Sequence, residues 1–263
     1  MMNEIPEHPR SRKRRIYILS IIVLLDVLIV FSLLFFYPLL TMLASQSWTS
    51  FNWSGYAVAS DLNNPRPLVT SIYGSWTVPT VTGLAPGGEA YSAVWIGIGG
   101  QFLSDQSLIQ AGTEQDSSRG RAEYSAWYEL LPDNPVVVDS LTISTGDKIT
   151  TIISLSNSEM NSWLVEIRDI TNGQSFQRNF TYDSSKLSAE WIVEAPTVNN
   201  RLMLANFSEV TFTSCTATIG SRVGSIADFP HADITMNSRQ DTQLVTVSPL
   251  YANGTSFTLN YVT

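Results

Sequence analysis

Three runs of the sequence mix carboxyl or amide side chains with large apolar ones, a pattern that can support proton-transfer chemistry. In Ala189-Glu190-Trp191-Ile192-Val193-Glu194 a β-strand turns Glu190, Ile192 and Glu194 to one face, because residues i and i+2 share a face. In Tyr124-Ser125-Ala126-Trp127-Tyr128-Glu129-Leu130, Trp127 and Glu129 share a face opposite Tyr124, Ala126 and Tyr128. In Ser107-Leu108-Ile109-Gln110-Ala111-Gly112, Gln110 lies with Leu108 and Gly112. Strands of a sandwich ordinarily turn apolar residues inward and charges to solvent. Polar groups that share faces with aromatic ones are expected of a substrate cleft, although a solvated outer-face glutamate is the simpler reading of any one position.

Other hydrolytic chemistries are missing from the sequence. It contains no Gly-x-Ser-x-Gly elbow, no His-Glu-x-x-His and no Asp-Thr/Ser-Gly triplet. Of the two histidines, His8 lies in the basic N-terminus, so a Ser-His-Asp triad would depend on His231, which follows Pro230 in what reads as a polar loop. No Cys/His cluster has metal-ligand spacing, so neither a metal nor a cofactor is expected. The single cysteine, Cys215, cannot form an internal disulfide and reads as a buried strand thiol. What remains is carboxyls, amides and aromatic rings.

The elements that must position these groups read as strands. Only 14% of the 263 residues are charged. Short alternating or apolar runs recur at 56–59, 71–78, 90–98, 107–112, 122–131, 148–156, 163–169, 175–182, 189–193, 209–219, 243–247 and 256–261, divided by turn signals such as Pro86-Gly87-Gly88 and Asn253-Gly254. With no convincing helix among them, they predict an all-β, two-sheet antiparallel β-sandwich.

Ahead of this domain the composition changes. Residues 1–15 carry a net charge of +3, whereas residues 46–263 carry −10. The acidic part argues against a nucleic-acid partner, since phosphate binding needs clustered Lys and Arg. The apolar run 16–37 would span about 33 Å as a helix, enough for a hydrocarbon core. These features predict a basic cytoplasmic tail (1–15), one transmembrane signal anchor (16–43), a linker (44–51) and the sandwich domain (52–263). The expected location is the cell membrane, single-pass, with the C-terminal domain extracellular. Four Asn-x-Ser/Thr triplets, at Asn52, Asn179, Asn206 and Asn253, are compatible with glycosylation there.

Six motifs, taken in order, resemble one known family. Asn52-Trp53-Ser54-Gly55-Tyr56, Gly74-Ser75-Trp76-Thr77-Val78-Pro79, Val94-Trp95-Ile96-Gly97-Ile98, Ile109-Gln110-Ala111-Gly112, Ala126-Trp127-Tyr128-Glu129 and Ala189-Glu190-Trp191-Ile192-Val193-Glu194 are similar to the glutamic peptidases (eqolisins). The resemblance implies a concanavalin- or jelly-roll-like sandwich and an acid-acting endopeptidase with a polypeptide substrate. It places the catalytic pair on Gln110 and Glu194, and substrate-binding residues on Trp53, Trp127, Glu129 and Glu190. In such a pair Glu194 serves water as general base and the leaving amine as acid, while the Gln110 amide stabilises the oxyanion. A carboxyl near the ordinary value of about 4.3 would suit acid conditions.

The sequence departs from that pattern twice. Gly97-Ile98-Gly99-Gly100 lacks the aspartate that the family often has at the third position, and Ser125 stands where fungal members have Asp. Two rival readings share the architecture: a glycoside hydrolase using two glutamates, and a non-catalytic domain that binds carbohydrate or protein. Glu190 and Glu194 would lie about 13 Å apart along a strand, beyond the roughly 5–9.5 Å of a glycosidase pair, whereas Glu129 with Glu194 stays open.

Overall fold

β-Branched and aromatic residues dominate the runs predicted as strands, and such residues pack well on a pleated, half-buried surface. In the computed structural model, which describes residues 45–82, 88–198 and 201–262, each of those runs overlaps a strand. In chain order the longer strands are β1 (Ser45–Ser50), β2 (Trp53–Ala59), β3 (Val69–Thr77), β4 (Ala93–Gly99), β5 (Leu108–Ser118), β6 (Arg121–Leu130) and β7 (Lys148–Asn157). There follow β8 (Ser162–Asp169), β9 (Ser175–Thr181), β10 (Ser188–Glu194), β11 (Val210–Ile219), β12 (His231–Asn237), β13 (Gln243–Val247) and β14 (Phe257–Tyr261).

Pairing sorts them into two layers. The first runs β1-β12-β2-β10-β4-β5-β6. The second runs β9-β8-β7-β3-β11-β14-β13. Strands β12 and β13 pair across a register shift between Met236 and Asn237, which joins the layers at one side. Every one of these pairs is antiparallel except β1 with β12. The expected all-β antiparallel sandwich stands.

The core between the layers takes alternate residues from both. Val94, Ile96, Ile98, Ala189, Trp191 and Val193 from the first meet Ile72, Trp76, Ile149, Ile153, Trp163 and Phe212 from the second. Trp191 is fully buried, and its indole N–H donates to the Tyr73 carbonyl at 2.9 Å, so its polar edge costs nothing on burial. Cys215 is buried in β11, as its alternating surroundings predict. The first layer is apolar on its other face as well: Ala57, Ala93, Trp95, Leu108, Trp127, Ile192 and Ile234 cluster there, with Trp48, Trp53 and Leu131 packed beside them. A sheet face clad in this way yet outside the core is where a cleft can form.

Three expectations change. The stretch 44–51, read as a linker, contributes β1, whose Ser45 to Ser50 pair in register with His231 to Met236. Its polar, Ser-rich composition hid a strand whose residues alternate between exposed and half-buried. His231 opens β12 rather than sitting in a loop, with Nδ1 2.9 Å from the Phe229 carbonyl. The membrane location is also corrected: among the described residues no helix is long and apolar enough to cross a membrane. The tail 1–15 and the stretch 16–43 read as an anchor lie outside the described residues.

Candidate active site

Four adjacent strands of the first layer, β10, β4, β5 and β6, place their side chains in rows across the sheet. One row runs Glu190, Gly97, Gln110, Glu129. The next on the same face runs Ile192, Trp95, Gly112, Trp127, and the third runs Glu194, Ala93, Glu114, Ser125. Trp53 of β2 stands opposite Glu194 on the other side. The parity read from sequence therefore holds, and the register turns three separate runs into one surface.

Gly112 makes this surface tight. A Cβ there would lie 2.1 Å from the Val94 carbonyl oxygen and 2.6 Å from Trp95 Cβ, so only glycine lets β5 approach β4 between two tryptophans. Trp53 packs edge-on against Trp95, with ring centroids 5.0 Å apart.

Above these rows lies a cleft of about 330 Å³ lined by Gln110, Glu114, Trp127, Glu129, Glu194 and Thr197, among others. It holds three carboxyls and no cationic side chain among the described residues. Glu194 is fixed by two donors: Asn52 Nδ2 reaches Oε1 at 3.2 Å and Trp95 Nε1 reaches Oε2 at 2.8 Å. The Trp53 N–H favours the ionised form of the same carboxyl, yet it lies outside full hydrogen-bond geometry and is left without a partner. Despite these donors, burial pushes the Glu194 pKa up to about 7, and nearby Glu129 adds to the rise. The expectation of an ordinary carboxyl near 4.3 is thus revised, because desolvation outweighs the donors.

Gln110 is buried, and its Nε2 donates to Glu129 Oε2 at 2.5 Å across a directly paired position. Its Oε1 has no partner. Burial also raises the Glu129 pKa, while the Gln110 bond opposes the rise. The Trp127 indole N–H is likewise buried and unpaired. Unpaired amide oxygen and indole N–H groups lining a cleft are sites that a water or a peptide group can satisfy.

Glu190 departs from its expected substrate contact. It is 0% exposed, both carboxyl oxygens lack partners, and burial holds its pKa well above the usual range. It shares the face of the cleft but lies beneath the surface, so it cannot touch substrate. Nor can it pair with Glu194 as a solvent-reaching glycosidase carboxyl.

The missing aspartate at position 99 has a local explanation. Gly99 has φ +92°, and a Cβ there would meet the Ser107 carbonyl oxygen at 2.5 Å and the Ser185 hydroxyl at 3.1 Å. Those same residues serve another carboxylate. Asp105 accepts from Ser185 Oγ at 2.5 Å, from Ser107 N and Oγ at 3.0 and 2.9 Å, and from Gly100 N at 2.9 Å. A carboxylate from the β4–β5 loop thus sits beside the place left empty at Gly99. Sequence reading missed Asp105, and it missed Trp95 and Asn52 as holders of Glu194. The only signal for these two was their presence in the ordered motifs.

Comparison with known proteins bears on this arrangement. The family model of the peptidase A4 family matches residues 51–261. Scytalidopepsin B of Scytalidium lignicola is 26% identical over 232 residues, which cover 83% of this chain and 81% of that protein. A crystal structure of scytalido-glutamic peptidase with a transition state analog inhibitor has a TM-score of 0.67 at 24% identity, covering 81% of this chain and 99% of that one, a likeness of fold. The crystal structure of aspergilloglutamic peptidase from Aspergillus niger has a TM-score of 0.58 at 28% identity, covering 66% of this chain and 99% of that one.

Proposed function

The chain belongs to the peptidase A4 family of glutamic peptidases, hydrolases of peptide bonds, and on that premise we propose that it is an acid endopeptidase whose catalytic pair is Glu194 and Gln110. One observation carries the pairing. A carboxyl held by two fixed donors and an amide with an unpaired oxygen line the same cleft.

The raised pKa of Glu194 sets the order of events. Below about 7 the carboxyl is mostly protonated, so the form present in acid is a proton donor. Glu194 gives its proton to the scissile nitrogen and becomes a carboxylate, which Trp95 and Asn52 stabilise. The carboxylate takes a proton from the attacking water as oxygen bonds to the carbonyl carbon. The tetrahedral intermediate carries an oxyanion and a protonated nitrogen. It collapses by breaking the C–N bond to carboxylic acid and amine, and Glu194 is left protonated for the next cycle.

Gln110 serves both the water and the oxyanion. Its Oε1 accepts from the water, while the Nε2 hydrogen not given to Glu129 points to the developing oxyanion. Trp53 and Trp127 form walls for the peptide, the Trp127 indole N–H is offered to a peptide carbonyl, and Glu129 fixes the amide.

Incubating the chain with a denatured protein at pH 3–5, beside Glu194→Gln and Gln110→Ala, tests the proposal. Cleavage by the parent and its loss in both variants supports the pair. Cleavage at the parental rate in either variant refutes it, and hydrolysis of a glycan in place of protein would favour the glycosidase reading.

A further inference from the structure

Strand β8 ends in an aspartate at a position that its own alternation gives to the core. Trp163, Val165 and Ile167 are buried on the inward face, and Asp169 follows in the same parity, 1% exposed. Asp169 pairs directly with Ile149 of β7, and Asp147 lies two residues before Ile149, so both carboxyls take the inward face as diagonal neighbours. Asp147 is buried as well, and the two carboxyls lie within hydrogen-bonding reach of each other. The turns that carry them abut: Lys148 N donates to Thr171 Oγ1 and Ile170 N to the Lys148 carbonyl, each at 2.8 Å.

Neither acid has a cation to meet. Among the described residues Asp147 and Asp169 form no ion pair. Lys148 and Arg168 adjoin them in sequence but take the opposite, exposed parity, where Arg168 bonds to Glu166. At this corner β3 offers Thr77 and Val78, the turn before β7 Ser144 and Thr145, and the turn after β8 Thr171 and Asn172; none of these titrates. Ser144 N donates to Asp147 Oδ2 at 2.7 Å, and Thr171 N and Asn172 N donate to Asp169 Oδ1 at 2.8 and 3.2 Å. Asp169 Oδ2 is buried and has no partner. Two carboxylates in contact cannot both ionise cheaply in a buried place, and one proton between them removes the repulsion and supplies the missing donor. A cation fits less well, since among the described residues no third acidic, imidazole or thiol group joins the pair.

We propose that Asp147 and Asp169 form an acid-dependent latch: one proton, carried by the Asp147 carboxyl and accepted by Asp169 Oδ2, ties the turn that enters β7 to the turn that leaves β8. When that proton passes to solvent, two carboxylates are left in contact and this end of the second layer loosens. Burial, and then the charge of Asp169 and the bond to it, hold the Asp147 pKa above the usual range, while the Ser144 N–H opposes the rise. The folded chain therefore keeps the proton at pH values where the unfolded chain, with an aspartate near about 3.9, has released it. The stability that the latch supplies is full in acid and is lost as pH rises through the raised value. The pair belongs to the second layer, so the inference stands apart from the roles given to Gln110 and Glu194.

Thermal and chemical unfolding of the full-length chain from pH 4 to 8 would compare the parent with Asp147→Asn, Asp169→Asn and the double variant. An amide at either position keeps an N–H donor for the remaining carboxylate at every pH. Each single variant should match the parent Tm at pH 4 within about 2 °C and exceed it at pH 7.5 by about 3–10 °C. The pH dependence of unfolding should also flatten by up to one proton, about tenfold in the unfolding constant per pH unit. In the double variant the second change should add nothing at pH 7.5, because the repulsion can be removed only once. Equal shifts at pH 4 and 7.5, or no shift at pH 7.5, overturn the latch. If one single variant fails to fold, the other decides. If both fail at pH 4, where the amide replaces a protonated acid, the latch is overturned too. Calcium chloride that raises the Tm of the parent at pH 7.5, and not that of the variants, would assign the pair to a cation and overturn the shared proton.

Discussion

Trp95 Nε1 donates to Glu194 Oε2 at 2.8 Å, from the strand directly beside the one that carries the carboxylate. The indole is fully buried and sits in the cluster behind the cleft, so the donor cannot swing away when Glu194 changes charge. A donor of this kind favours the charged form, and with Trp53 first, then Trp95 and Asn52, such donors oppose the desolvation that raises the pKa. Trp95→Phe keeps most of the packing and removes the bond. Its rate profile should lose activity at a pH about one unit higher than the parent's, since a hydrogen bond to a charged group is worth about 1.5–3 kcal/mol. An unmoved profile would mean that the bond does not act on the ionisation that controls the rate.

Burial pushes the Glu194 pKa up to about 7, and in the proposed mechanism its protonated form begins the reaction. kcat/KM should therefore be level in acid and fall about tenfold per pH unit above 7. Initial rates from pH 3 to 9 measure this. A rate that climbs from pH 4 to 8 would show that the ionised carboxyl begins the reaction instead.

In the proposed mechanism, removing Gln110 takes away the oxyanion donor and the water's acceptor together. Gln110→Ala should cost about 10²–10³ in kcat, the usual loss for one such donor. KM should change far less, because the substrate walls remain. A loss confined to KM would place Gln110 in binding alone.

Stability should decline as the pH rises. Glu194 is pushed up to about 7, and Asp116 to about 8 by burial and by the charges of Glu114 and Glu123. Between about pH 4, where these carboxyls titrate in the unfolded chain, and those values, the folded chain holds more protons than the unfolded chain. Its stability is then full in acid and is lost as pH climbs to 7–8. Asp116→Asn should raise Tm at pH 8 and leave it nearly unchanged at pH 4, with roughly 2–4 °C for each kcal/mol recovered. Equal shifts at both pH values would refute the titration as the cause.

Gly112→Ala should be among the most damaging single changes in the cleft. Its Cβ would meet backbone at 2.1 Å, which no rotamer relieves, so β4 and β5 must separate. The expected cost is about 3 kcal/mol or more, read by chemical denaturation. A well-folded Ala variant of parental stability would contradict the spacing of these two strands.

Much of this was legible in the sequence because it repeats with period two. The twelve runs and the parity of Glu190, Glu194, Gln110 and Glu129 needed no more than alternation, and six motifs in order carried the family. Where alternation was faint the reading failed, as at Ser45–Ser50, which becomes a strand only by pairing with β12. Parity tells which face a residue takes and nothing about depth on that face. Thus Glu190 and Glu194, alike in sequence, part company in the fold: one is sealed between Ala57 and Gly97, the other opens to the cleft. The sequence by itself determined the sandwich and the family, since alternation and the order of motifs are local pattern, and the resemblance pointed to Gln110 and Glu194 as the proposed pair. Tertiary structure alone decided the register that gathers three strands into one cleft, the donors that hold Glu194 and the burial that lifts its pKa. These depend on contacts between distant residues, such as Asn52 with Glu194, and local pattern does not encode them.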